Sequence, residues 1–350
     1  MSGIVKVAVT QHEPVWFDLQ ATVDKTCRLI EEAASNGAQL IAFPEVWITG
    51  YPAWIWARPL DPPLATKYIK TSLSYDSKEM DQICATARKA HITVILGFSE
   101  NDHNSLYIAQ CTISSSGTII MKRRKFKPTH MERTVYGDAG GSSLNNVNDV
   151  EGVGRVGALS CWEHIQPLLK YHTISLREQI HVSAWPPLHP HTEDNQGLFS
   201  MTADGCALLS QTYAMESSTF VLHCTSVMTN TGVDVHKSEG TLFGVSGGGH
   251  SAVYGPDGRR LTKAIPADQE GFVYADLPMD MLVGLRHFVD PVGHYSKPEL
   301  LWLGVDTREK KHVRGEGENE EGEVKKLNGL SLGRGESGKA NGTATPQGAY

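Results

Sequence analysis

Residues 4–43 read IVKVAVTQHEPVWFDLQATVDKTCRLIEEAASNGAQLIAF, and the order of patterns in this stretch points to a mixed α/β fold. Positions 4–10 are apolar and rich in β-branched residues, as a strand requires. Leu19, Val23, Cys27, Ile30 and Ala34 then recur at helical spacing until Gly37 offers a stop, and 39–43 returns to strand character. Further along, the spacing predicts a helix over 77–90, a strand over 91–98, and two strands over 106–113 and 118–123 joined by the Ser-Ser-Ser-Gly turn at 114–117. A second series follows: a strand at 157–160, a helix at 165–176, a strand at 179–184, a helix at 206–216 and a strand at 220–226. Strands near 250–254 and 271–276, separated by a Pro-Asp-Gly turn at 256–258, close it. No Pro/Ser/Gly linker divides the two series, so a single α/β domain with two sheets covered by helices on their outer faces is expected.

Composition agrees with a large core. At 350 residues, 40 % hydrophobic and 20 % charged, the chain is globular in character, and its net charge of −7 gives no general attraction to nucleic acid or anionic membranes. No apolar run reaches the roughly 18 residues of a membrane span. The first residues, MSGIVKVAVTQHEP, resemble neither a signal h-region nor an Arg-rich transit peptide. Six cysteines lie far apart with no CxxC pair, so reduced thiols and a cytoplasmic location are expected. From Gly315 onward the character changes: nine of the last 36 residues are glycine, six are acidic and four basic. A folded domain over 1–314 and a disordered tail over 315–350 follow from that shift.

Several motifs carry little weight. Gly152-Val-Gly154-Arg-Val-Gly157 spells the dinucleotide fingerprint, but a loop over 149–155 precedes the strand instead of following it, so NAD binding is not expected. The glycines at 244–249 lack the Lys-Ser/Thr ending of a phosphate loop. His189, His191 and Glu193 lie in a Pro-rich loop without a completed ligand set, and no metal site is expected. Asn341-Gly-Thr343 matches a glycosylation sequon with no secretory context.

Three segments place a reactive polar residue directly after an apolar strand, where loops deliver catalytic groups from a rigid sheet. They are LIAFPEVWITGYP with Glu45, MKRRKFKPTHMER with Lys125 and Glu132, and GALSCWEH with Cys161. Singly, each is as well explained by core packing or solvation; their joint occurrence carries the inference.

Over roughly residues 4–313 the chain resembles the nitrilase, or carbon-nitrogen hydrolase, superfamily, through FPE-x-W-I-x-GYP, RRK-x-K-PTH-x-ER and CWEH. The resemblance implies a four-layer α-β-β-α sandwich and a Cys-Glu-Lys catalytic set. Carried over by position, Cys161 is the nucleophile, Glu45 the general base, Lys125 the lysine, and Glu132 a second acid that orients them. Lys127 would share a face with Lys125 in an extended segment, and only the family frame Arg-Lys-x-x-Pro-Thr selects Lys125. Gly137-Asp-Ala139-Gly-Gly141 departs from the GDGxG more usual in relatives.

The resemblance further implies homo-oligomers, from dimers to spiral filaments, and a small-molecule nitrile as substrate. Cofactors and metals are not expected to take part. Trp162, Tyr51, Trp54 and Trp185 are the candidate walls of a pocket able to hold an aryl group. An arylacetonitrile-hydrolysing enzyme releasing acid and ammonia is therefore expected, with cyanide hydratase or amidase activity as the alternative. A non-enzymatic scaffold would have no need of the complete Cys161, Lys125 and Glu45 set.

Overall fold

A computed structural model describes residues 3–192 and 197–307. The expected tail at 315–350, its sequon and Glu193 lie outside these residues.

Two sheets form the interior. The first is ordered β11-β1-β2-β3-β4-β5, with β1 (Ile4–Gln11), β2 (Leu40–Ala42), β3 (Thr93–Asp102), β4 (Ser105–Ile113), β5 (Ile119–Arg124) and β11 (Gly271–Pro278). The second is ordered β10-β9-β8-β7-β6, with β6 (Val147–Val150), β7 (Gly154–Ser160), β8 (Ile180–Trp185), β9 (Phe220–Thr225) and β10 (Ala252–Tyr254). In each, three central strands run parallel, β1-β2-β3 and β7-β8-β9, and antiparallel strands flank them. Parallel strands joined through helices bury both faces, which explains their nearly continuous apolar sequences.

The alternation of side chains along each strand sorts the core into layers. Val7 and Val9 of β1 meet Val182 of β8 and Leu222 of β9 between the sheets. Ala8 of β1 faces the other way, toward Ile30 of α1 (Leu19–Ser35) and Ile83 of α3 (Lys78–Ala90). Leu159 and Val221 pack outward against α4 (Pro167–Ser175) and α5 (Ala203–Ser217). The result is the four-layer α-β-β-α sandwich. Local chemistry fixes where the outer helices begin: Asp18 accepts from the Ala21 N–H at 2.9 Å, and Ser77 accepts from the Met80 N–H at 3.2 Å.

The segment 149–155 differs from its expected loop. It is a tight hairpin in which β6 pairs with the start of β7, turning through Gly152 at φ 73° and Gly154 at φ 122°. The polar Asn148 and Asp149 disguise β6 because it is an edge strand with only one neighbour. Three helices were also not expected: α2 (Pro62–Thr71), α6 (Asn230–His236) and α7 (Asp280–Phe288). Among the described residues no helix is long and apolar enough to cross a membrane.

Candidate active site

Glu45 follows β2, Lys125 follows β5 and Cys161 follows β7, so three strand ends from two sheets converge. Close approach is needed to bring Glu45 in, and Gly97 of β3 permits it: a Cβ there would lie 2.2 Å from the Pro44 carbonyl oxygen. The carriers of the site depart from ordinary backbone. Val46 beside Glu45 has φ 52°, His130 in the loop after Lys125 has φ 45°, and Cys161 itself has φ 49°. Left-handed backbone costs a residue with a side chain about 1–2 kcal/mol, so the surroundings must hold each in place.

One carboxylate oxygen each of Glu45 and Glu132 and the sulfur of Cys161 lie within 4.8 Å of one another, all buried. The cation between the carboxylates is the Lys125 ammonium, 2.8 Å from Glu132 Oε2 and 3.1 Å from Glu45 Oε2. Lys127, by contrast, lies at the surface paired with Asp138. The two acids are held differently. Glu132 is fully engaged, accepting from Lys125 Nζ, from the Thr129 N–H at 2.7 Å and from the Tyr51 hydroxyl at 3.2 Å. Neither oxygen of Glu45 has a well-aligned hydrogen-bond partner; its contact with Lys125 is an ion pair of poor hydrogen-bond alignment.

That difference determines what each acid can do. Burial pushes the Glu45 carboxyl up to about 8, opposed by Lys125 and reinforced by Glu132. Burial also drives the Cys161 thiol well above its ordinary value, with Lys125 pulling it back. Lys125 stays charged, since burial lowers its affinity for the proton but Glu132 and Glu45 more than offset this. The arrangement is a neutral thiol beside an acid with free lone pairs and a fixed ammonium, able to move a proton from sulfur to Glu45 while Lys125 meets developing negative charge.

The four candidate wall residues do not share one place. Tyr51 and Trp185 are buried in the same apolar cluster as Cys161, and Trp162 packs against it partly exposed. Trp54 lies in a separate cluster with Phe17 and Tyr68. Trp162, Trp56, His130, Leu198, Met201 and Leu242 line a cavity of about 560 Å³ that opens beside the nucleophile's neighbour. Its walls are mainly apolar, and small-ligand pockets commonly have about 300–1,000 Å³.

Two residues without an assigned role in the sequence reading tie the site together. Glu163 is fully buried; its Oε1 accepts from Arg123 at 2.7 Å and from the Phe126 N–H at 2.9 Å, and its Oε2 accepts from the Ser160 N–H at 2.9 Å. Arg123 also donates to Gln110 at 2.6 Å. Both site glutamates at the third turn position belong to capping boxes, Thr129-x-x-Glu132 and Ser160-x-x-Glu163. That S/T-x-x-E pattern directly after a strand was the signal available for finding Glu163.

Residues 6–287 match the family model described as carbon-nitrogen hydrolase. An arylacetonitrilase of Aspergillus niger is 62 % identical over 314 residues, covering 90 % of this chain and 92 % of its own. An arylacetonitrilase of Aspergillus kawachii is 59 % identical, with 90 % and 95 % covered. Among solved structures, the carbon-nitrogen hydrolase from Helicobacter pylori G27 superposes with a TM-score of 0.66 at 17 % identity, covering 81 % of this chain and 92 % of that one. An amidase from Nesterenkonia sp. gives 0.58 at 17 % identity, with 81 % and 95 % covered. At such identity the structures speak to the shared sandwich alone.

Proposed function

The chain belongs to the carbon-nitrogen hydrolase family, and from that premise we propose that it is a nitrilase that converts organic nitriles, arylacetonitriles foremost, to carboxylic acid and ammonia. The observation that carries the reading is the buried convergence of Cys161, Glu45 and Lys125 beside an apolar cavity. Identity of 62 % to an arylacetonitrilase over most of both chains supports the aryl preference.

In this reading Glu45 takes the thiol proton as Cys161 Sγ bonds to the nitrile carbon. Charge accumulates on the substrate nitrogen, where the Lys125 ammonium stabilises it in a water-poor site until Glu45 hands the thiol proton on to that nitrogen, giving a thioimidate and restoring the carboxylate. Glu45 next takes a proton from water as its oxygen adds to the same carbon. Glu45 passes that proton to the nitrogen, and cleavage of the C–N bond, as the adduct's hydroxyl proton also moves to the nitrogen, releases ammonia and leaves a thioester on Cys161. A second water, activated in the same way, breaks the C–S bond and yields the acid. Expulsion of the sulfur from the first tetrahedral adduct would release an amide instead.

Glu132 acts through Lys125, which it anchors. Trp162 and the cavity beyond it hold the aryl group, with Tyr51 and Trp185 behind the nucleophile. The domain comprises residues 1–314, and the protein works as a homo-oligomer in the cytoplasm. Exposed Leu168 on α4 and Leu208 and Met215 on α5 support self-association, and six unpaired cysteines suit a reducing compartment; sedimentation of the purified chain tests the former.

Cys161→Ala is the direct test. Ammonia release from phenylacetonitrile should vanish while circular dichroism and melting temperature stay near wild type. Undiminished turnover by the purified variant refutes the nucleophile.

A further inference from the structure

Behind the nucleophile runs a chain of buried polar groups that the reaction above does not use. His164, three residues after Cys161, places Nδ1 2.7 Å from the Cys161 carbonyl oxygen. Its Nε2 is 3.0 Å from Nε2 of His181 on β8. His181 Nδ1 is 2.8 Å from Glu178 Oε2, and the Tyr213 hydroxyl of α5 donates to Glu178 Oε1. His164, His181, Glu178 and Tyr213 are all buried. The rings are clamped by stacking, His164 on Trp185 at 5.2 Å and His181 on Tyr213 at 4.0 Å between centroids.

Hydrogen-bond bookkeeping gives this chain a direction. A carbonyl oxygen only accepts, so His164 carries its proton on Nδ1. Burial and the neighbouring His181 hold His164 neutral, which leaves Nε2 a lone pair and makes His181 Nε2 the donor to it. His181 Nδ1 faces Glu178 Oε2, which closes the far end of the chain. The His164 Nδ1–H and the His181 Nε2–H therefore both point toward Cys161. The fold makes room for the far end: a Cβ at Gly157 of β7 would lie 1.8 Å from Glu178 Oε2.

The carbonyl at the near end belongs to the peptide whose N–H is that of Trp162. In a trans peptide the two groups point in opposite directions, so the bond from His164 fixes where the Trp162 N–H aims and strengthens it as a donor. That N–H is at the second position of the turn Cys161–Ile165 and has no partner inside the turn.

We propose that His164, oriented by His181 and Glu178, is a positioning residue for the nucleophile: it holds Cys161 in its left-handed backbone and aims the Trp162 N–H at the substrate nitrogen as charge develops there. Its effect is on the transition state, not on substrate uptake. The choice of substrate below rests on the nitrilase reading; the relay itself does not.

The test compares substitutions that keep or remove the donor at constant bulk, in the full chain acting on phenylacetonitrile. His164→Leu should lower kcat by about 30-fold with KM within about threefold, somewhat less than loss of a direct oxyanion donor. His164→Asn, whose amide N–H can occupy the Nδ1 position, should recover most of that loss. His181→Gln should likewise exceed His181→Leu, and this pair decides if His164→Leu does not fold. Equal kcat within each pair, or a loss confined to KM, overturns the proposal. Should wild type turn over no nitrile, the nitrilase reading fails by itself. The relay is then read from the rate of Cys161 alkylation by iodoacetamide, mapped by peptide mass: the same order among variants upholds it and equal rates overturn it.

Discussion

Lys125 Nζ sits 3.1 Å from Glu45 Oε2, both fully buried, yet the contact is poorly aligned for a hydrogen bond. The ammonium is instead bonded to Glu132 at 2.8 Å, so the acid that anchors the lysine and the acid left available for proton transfer are different residues.

Removing the cation should therefore cost more than removing the anchor. Lys125→Met leaves two buried carboxylates without their counter-charge, and a loss of about 3–5 kcal/mol in denaturant unfolding is expected together with loss of turnover. Glu132→Gln keeps the volume and one acceptor oxygen, so a smaller destabilisation is expected, with kcat down by about two orders of magnitude. Equal stability of the Lys125→Met variant and wild type contradicts this picture.

The position of Glu45 sets a pH dependence. Burial raises its carboxyl to about 8, whereas the unfolded chain releases the same proton near 4.5. The folded state thus loses stability from this group as pH rises from about 4.5 to about 8, and loses no more above that. The base works as the carboxylate, so kcat/KM should climb through a limb centred near pH 8 that belongs to the coupled Glu45, Lys125 and Cys161 set. A profile measured from pH 5 to 9.5 checks it; a limb near 4.5 is the contrary outcome.

Trp162 lines the cavity, and Trp54 packs in a different cluster. Trp162→Ala should raise KM for phenylacetonitrile about tenfold and change an aliphatic nitrile less, as expected for removing one aromatic wall. Trp54→Phe should leave both KM values within about twofold while lowering the melting temperature. Kinetics on the two substrates separate these roles.

Gly157→Ala introduces a methyl group into the space of the Glu178 carboxylate. The residue is not in left-handed backbone, so the conflict is purely one of volume, worth about 1–3 kcal/mol. Reduced kcat with little change in KM should accompany it. Thermal melts and kinetics on the same preparation provide the check.

The convergence of Glu45, Lys125 and Cys161 was legible because each follows a strand inside a long motif. The choice between Lys125 and Lys127 was not legible from alternation, because β5 stops at Arg124 and the chain turns before Lys127 can follow it inward. Trp54 lies only three residues after Tyr51, but the turn Ala53–Trp56 carries it into another cluster. The helix α2 begins with Pro62-Pro63, which reads as a break unless Asp61 is recognised as its cap, accepting from the Leu64 N–H at 3.1 Å. The pairings of Glu163 with Arg123, His181 with His164 and Glu178 with Tyr213 were opaque for another reason: these partners lie 17 to 40 residues apart along the chain, and periodicity carries no such information.

Glu163 grips Arg123 and the Phe126 N–H on one sheet's side and the Ser160 N–H on the other's. A single carboxylate thus staples the end of β5, which leads to the lysine, to the end of β7, which leads to the sulfur, and resists slippage of one sheet past the other. Catalytic competence then becomes a gauge of inter-sheet alignment: heat or denaturant should extinguish turnover at the moment this seam parts, even where helices persist.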